Sequence, residues 1–285
     1  MKGTVAIALG MITGGILLVG LGYMLVGADM TGFNSKNSHY IEKTYECTED
    51  VDSIRIDELS GAVVLQAGDV DKVSVAYSDK EKTIYEITEE KGELAITRLK
   101  ESGSGFFQID FSEHVMTITV PDSFKGKVDI TDKSGRISLN RIDGKEISVQ
   151  NTSGSIRMDD VSCKKDLTAG NTSGSVQMKN VEAGGDVHIE NTSGSIKLEQ
   201  LQAKGNVAVK GSSGGIRLDE LDAGGNIILK NTSGSIKGTI VGKESDYRID
   251  SHVSSGSNNL TNSDQGEKEL NVSTTSGSIR ILFTE

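Results

Sequence analysis

The sequence predicts an all-β protein: a β-solenoid (a β-helix, with a right-handed coil the expected form) of roughly 20-residue coils, fronted by an N-terminal β cap and preceded by one transmembrane helix. Three observations predict it. A Ser-Gly dipeptide recurs at Ser134, Ser153, Ser173, Ser193, Ser213, Ser233, Ser255 and Ser276, at spacings of 19, 20, 20, 20, 20, 22 and 21 residues. Around each copy apolar and polar residues alternate, which is the period of a strand. The N-terminus carries a long stretch with no charge.

That stretch covers residues 3–28, which is 26 residues. A helix of about 20 apolar residues spans a bilayer core, and a longer one tilts. Lys2 precedes the stretch and Asp29 follows it. The positive-inside rule then expects a cytoplasmic N-terminus, a single pass through the cell membrane and an extracytoplasmic remainder. A cleaved signal peptide is the rival reading, with Val26 and Ala28 as small residues before the cut, although its apolar core is about 7–15 residues. Residues 29–40 read as a polar linker.

Residues 41–127 alternate without a clean repeat. VDSIRID, GAVVLQA, KVSVAYS and VMTITVP read as strands, with a hairpin turn expected at Lys91-Gly92. This region is the expected cap, because a solenoid must hide its edge.

Residues 128–285 hold the repeats. The words are NTSGSIRMDDV, NTSGSVQMKNV, NTSGSIKLEQL, GSSGGIRLDEL, NTSGSIKGTIV and TTSGSIRILF. Each copy offers one apolar set, such as Ile196, Leu198 and Leu201, and a second strand, such as Val187 and Ile189. One coil of two short strands buries too little to stand alone, so coils must stack about 4.8 Å apart. Stacking predicts columns. Asn151, Asn171, Asn191 and Asn231 should share a corner and hydrogen-bond along the ladder. The glycines at 154, 174, 194, 214 and 234 should supply positive φ there. Ile279, Ile281 and Phe283 are expected to close the far end.

A single anchor, an irregular β segment ending near VPDSFKGKV and repeated NTSGSI words together resemble the bacterial putative-adhesin β-strand-repeat family, which includes LiaG-like cell-envelope proteins. The resemblance covers residues 41–285. It implies an extracytoplasmic, non-enzymatic envelope protein and supplies no catalytic or ligand residues.

Composition narrows function. The formal net charge of −11 argues against nucleic acid and against passive adhesion to an anionic polymer or lipid surface. Two cysteines, Cys47 and Cys163, make neither a disulfide framework nor a zinc motif. Protease, hydrolase and nucleotide-binding motifs are missing, so no catalytic, cofactor or metal residues are expected. Asp159-Asp160 and Asp219-Glu220 are adjacent carboxylates, but neighbours on a strand face opposite ways and suit shared acid–base work poorly. His188 falls in an outward column.

One pattern points to a ligand. The outward position after each Ser-Gly-Ser-Ile word holds Arg157, Lys197, Arg217, Lys237 and Arg280, with Gln177 interrupting. Stacked, they make a cationic stripe that a repeating polyanion could follow. Asp159, Glu199 and Asp219, two residues along on the same face, are expected to neutralise it. The expected function is therefore a non-enzymatic, membrane-anchored, adhesin-like or scaffold module that contacts a cell-wall polymer or an envelope membrane protein. A regulatory partner of a membrane stress-sensing system is the alternative, and a polysaccharide-active enzyme the third.

Overall fold

A computed structural model describes residues 40–80, 84–99 and 114–284. The expected transmembrane helix at 1–28 lies outside them, as does the linker except for its last residue. Among the described residues no helix is long and apolar enough to cross a membrane. Regular structure there is strand throughout, apart from a 3₁₀ turn at Glu244–Asp246.

The repeat sets the geometry. Each rung is a bent ribbon with two arms that meet at a Ser-Gly corner. In the rung of β11 (Leu167–Ser173) and β12 (Val176–Ala183), Leu167, Ala169, Val176, Met178, Val181 and Ala183 point inward and are buried. The next rung, β13 (Val187–Ser193) and β14 (Ile196–Ala203), pairs with it in parallel, Leu167 to Val187 and Met178 to Leu198. β15 (Val207–Ser213) with β16 (Ile216–Ala223), and β17 (Ile227–Ser233) with β18 (Ile236–Val241), continue the stack in the same register, except that β18 shifts by one residue against β16 between Leu218 and Leu221. Below β11 and β12 lie β10 (Glu146–Cys163) and then β8 (Lys127–Asn140), each long enough to turn the corner without a break, with β9 (Asp143–Gly144) beside the end of β10. The expected apolar sets are the buried columns.

Three further columns hold the rungs together. At the corner, Gly174 has φ +119°, and its N–H donates to the Ser193 carbonyl. Its own carbonyl accepts from the Asn191 side chain at 2.8 Å. Asn151, Asn171 and Asn231 do the same to Gly135, Gly154 and Gly214. The expected amide-to-amide ladder is therefore replaced by amide-to-glycine bonds. The physical reason is that the corner carbonyl turns out of the strand ladder and needs a donor. At the opposite turn, Asp166, Asp186 and Asn206 each accept from the backbone N–H of residue 186, 206 or 226, at 2.7–2.9 Å. The second arm kinks at Asp160, Asn180, Gln200 and Glu220, all with φ of 53–58°.

Both ends depart from sequence order. β2 (Ser53–Glu58) and β3 (Ala62–Gly68) form a rung that pairs in parallel with β8. β6 (Glu93–Arg98) and β7 (Val115–Pro121) form another, stacked outside β2 and β3. The chain thus lays down one rung, steps outward to a second, and returns to begin β8. Antiparallel strands cover the outer rung. β5 (Tyr85–Glu90) lies on β6 through the Lys91-Gly92 turn, whose φ values are 53° and 78°. β4 (Ser74–Lys80) lies on β7, and β1 (Tyr40–Glu46) on β4. Residues 41–127 therefore hold two solenoid rungs as well as the strands that cover them.

At the C-terminus the chain leaves β18 and forms β19 (Tyr247–Ser255) one rung too far out. It then returns as β20 (Lys268–Ser276) and β21 (Ile279–Thr284) to fill the gap. β20 pairs with β17 on one side and β19 on the other, while β21 pairs with β18. The expectation that Ile279, Ile281 and Phe283 close the end is corrected. They belong to the penultimate rung, and β19 with residues 257–263 closes it. Ile249 exchanges backbone hydrogen bonds with Ser263, and Ser251 N–H donates to Asn262, so the outer edge of β19 is covered.

Candidate polyanion-binding face

The outward side of the second arm carries the cationic column. Register places Arg157, Gln177, Lys197, Arg217, Lys237 and Arg280 on successive rungs. Arg280 follows Lys237 directly only because β21 returns to the gap. Lys197, Arg217, Lys237 and Arg280 thus form four consecutive cationic steps, which is roughly 14 Å at ~4.8 Å per rung.

Neutralisation holds along half of this column. Arg157 donates to Asp159, and Lys197 lies 2.8 Å from Glu199. The Lys197 ammonium, helped by the charges of Lys179 and Arg217, holds the Glu199 carboxyl below its usual range. On the next rung Asp219 flanks Arg217 but forms no ion pair with it among the described residues, and on the two rungs after that the flanking residue changes to Thr239 and Leu282. Arg217, Lys237 and Arg280 make no ion pair among the described residues, and all three are exposed. Beside them runs a shallow groove lined by Ser195, Gly215, Ser235, Lys197, Arg217 and Lys237. Gly215 stands where its neighbours carry serine, and it leaves the groove floor open at the middle rung. Site and stripe therefore differ: Arg157 is tied down, and the unpaired charge lies toward the C-terminus.

Other singled-out residues fall elsewhere. His188 Nε2 lies 3.0 Å from Glu190, which also holds Lys210 at 3.0 Å, on the outward side of the first arm. Asp159 serves Arg157, while Asp160 sits at the kink and accepts from Asn180 at 2.8 Å. The two carboxyls do not share a task. Among the described residues no group of three or more His, Cys, Asp or Glu converges as a metal site would require. A surface with Glu182, Glu220 and Asp222, together with Gln200 and Gln202, lies beyond the kink.

Cys163 shares a buried column with Ala183, Ala203 and Ala223, and Cys47 packs in the N-terminal core. Both are free thiols, and burial pushes each up to about 11. Neither should be alkylated on the folded chain near pH 8, since the thiolate is the reactive form. Both should label after denaturation. Mass spectrometry of native labelling checks this, and rapid native modification of either would contradict the packing.

Sequence reasoning missed a buried charge cluster at the N-terminal end of the corner column. Glu58 is 2% exposed and accepts from Arg98 at 2.9 Å and from the Tyr85 hydroxyl at 2.8 Å. Asp132, at 1% exposure, lies one rung along. The signal was present: ELSG at 58–61 and DKSG at 132–135 align with NTSG.

A covered stack of parallel rungs with polar columns on its outer faces defines an all-β solenoid. Residues 51–282 match the family model described as Toastrack DUF4097, and the chain belongs to that family. Comparison with curated proteins gives no match. Among solved structures, a putative adhesin from Bacteroides fragilis NCTC 9343 is 14% identical over 87% of this chain and 98% of its own, with a TM-score of 0.57. A putative adhesin and a putative lipid binding protein from Parabacteroides distasonis ATCC 8503 are 13% and 15% identical. They cover 86% and 85% of this chain and 98% and 96% of their own, both with TM-scores of 0.41. The first likeness is one of fold. The resemblance to adhesin-type β-repeat proteins seen in the NTSGSI words holds.

Proposed function

We propose that this chain is a non-enzymatic envelope module, anchored by its N-terminal segment, whose extracytoplasmic solenoid grips a repeating polyanion along Lys197, Arg217, Lys237 and Arg280. One observation carries the reading: the last three of these cations occupy consecutive rungs without an ion-pair partner among the described residues. Their mechanism would be multivalent contact with no covalent chemistry. Each added phosphate or carboxylate of a wall polymer would meet a pre-ordered charge, so little entropy is lost on binding. The net charge of −11 opposes approach only weakly from a distance, since salt screens it beyond about 8–10 Å.

Co-sedimentation of a soluble fragment, residues 29–285, with purified cell walls across a salt series tests this. Binding should weaken as salt rises. Changing Lys197, Arg217, Lys237 and Arg280 together to Gln should cut affinity by roughly 100-fold or more, at about 1 kcal/mol per cation near an anionic surface. Arg157→Gln should do much less, because Asp159 already occupies that side chain. Salt-insensitive binding, or none at low salt, would sink the polyanion reading. Crosslinking in intact cells would then look for an envelope membrane protein as partner.

A further inference from the structure

The corner column changes chemistry along its length: Gly211 leaves it without a side chain on one rung, and a carboxyl group enters it on another. Asn151, Asn171, Asn191, Asn231 and Thr274 each donate to the glycine carbonyl of the rung before, at 2.6–2.9 Å. In β8 the same place belongs to Asp132, which pairs in register with Asn151 on one side and Glu58 on the other. Its Oδ1 accepts the Ser134 N–H at 3.0 Å. Its Oδ2 is buried and has no hydrogen-bond partner among the described residues.

Where that oxygen sits is informative. A methyl group placed on Gly234 would lie 2.0 Å from the Gly214 carbonyl oxygen and 3.0 Å from Asn231 Nδ2, two atoms that are hydrogen-bonded. A methyl group placed on Gly135 would lie 1.8 Å from the Gly61 carbonyl oxygen and 2.8 Å from Asp132 Oδ2. Oδ2 therefore stands beside Gly135 as the Asn231 amide nitrogen stands beside Gly234, on the side where the Gly61 carbonyl lies. An ionised oxygen there would meet an acceptor with an acceptor, away from water.

We propose that Asp132 is the protonated member of this column, donating its carboxyl proton to the Gly61 carbonyl, so that the joint between the β2–β3 rung and the repeats tightens in acid and loosens in base. The groups that face it fit. Glu58 on β2 accepts from Arg98 on β6, from Tyr85 on β5 and from the backbone N–H groups of Leu59 and Ser60, so its oxygens are supplied. Asn151 on β10 is neutral and already bonded to Gly135. Burial raises the Asp132 carboxyl to about 6, with the Glu58 charge adding to it. Its Ser134 and Lys133 backbone bonds and the Arg98 charge act the other way. Because the folded value lies above the unfolded one, the stabilisation is complete below about pH 4 and is lost as pH rises through about 6.

Asp132→Asn supplies the donor at every pH. Hydrogen exchange of the full chain in detergent micelles would compare variant and wild type over residues 53–68 and 127–140 at matched pH. The ratio of protection should be near one at about pH 3, below both the unfolded and the folded values. It should favour the variant by roughly 10-fold or more at about pH 8, within the limit that a two-unit shift allows. The infrared band of a buried carboxylic acid should also disappear in the variant. A protection ratio independent of pH, a variant less protected at about pH 8, or an unchanged acid band would each overturn the proposal.

Discussion

Gly174→Ala should lower stability by about 3–5 kcal/mol, a large share of what a domain possesses. Two costs combine. The residue has φ +119°, which an L side chain rarely adopts, and an added Cβ would lie 1.8 Å from the Gly154 carbonyl oxygen. That oxygen cannot retreat, because Asn171 holds it at 2.9 Å and the rung behind it is packed. Gly170→Ala is the control. The backbone there is ordinary, and the nearest atom is Gln150 Oε1 at 2.0 Å, the free end of an exposed side chain. Alanine suits a strand better than glycine, so this change should stay within about 0.5 kcal/mol. Thermal melts followed by circular dichroism should place the two variants roughly 10 °C apart. Melts within about 2 °C of each other would show that the corner can open.

Ending the chain after residue 267 should do more harm than loss of a final coil. It removes β20 and β21, which form the penultimate rung. β17 and β18 would each lose a parallel partner, and β19 would lose its one strand neighbour among the described residues. Re-docking β19 one rung down is opposed by its side chains. Ser251 would take the place of Val272 against Leu229 in the core. Hydrogen exchange should therefore show protection lost throughout residues 247–255, and exchange at least ~100-fold faster across 227–241. Retained protection at 247–255 would mean that β19 can slide down and that rung order is not fixed by packing.

The candidate site was legible in part. Six outward positions could be read from the repeat, because a strand fixes which side chains share a face. Whether the charges were free could not, since that depends on who stands beside whom. Asp159 and Glu199 could be read as neutralising partners. Arg280 could not be read as the neighbour of Lys237, 43 positions away in sequence and one rung in space. The Glu58–Arg98–Asp132 cluster was hidden for a related reason. ELSG at 58–61 carries the corner word without the spacing, because a longer excursion separates it from the next copy.

By itself the sequence determined the coil. A twenty-residue period, a glycine that alone tolerates the corner and inward apolar sets leave the backbone one way to bury its core and pair its ladders. Those are local and nearest-neighbour constraints, written into every copy. Tertiary structure alone decided the order of the rungs at both ends. There β2–β3 and β20–β21 are inserted between strands made earlier or later in the chain. Parallel ladders of equal register accept any matching rung, so the repeat cannot specify which comes next. What selects the order is the need to cover each edge, met by β1, β4 and β5 at one end and by residues 257–263 at the other.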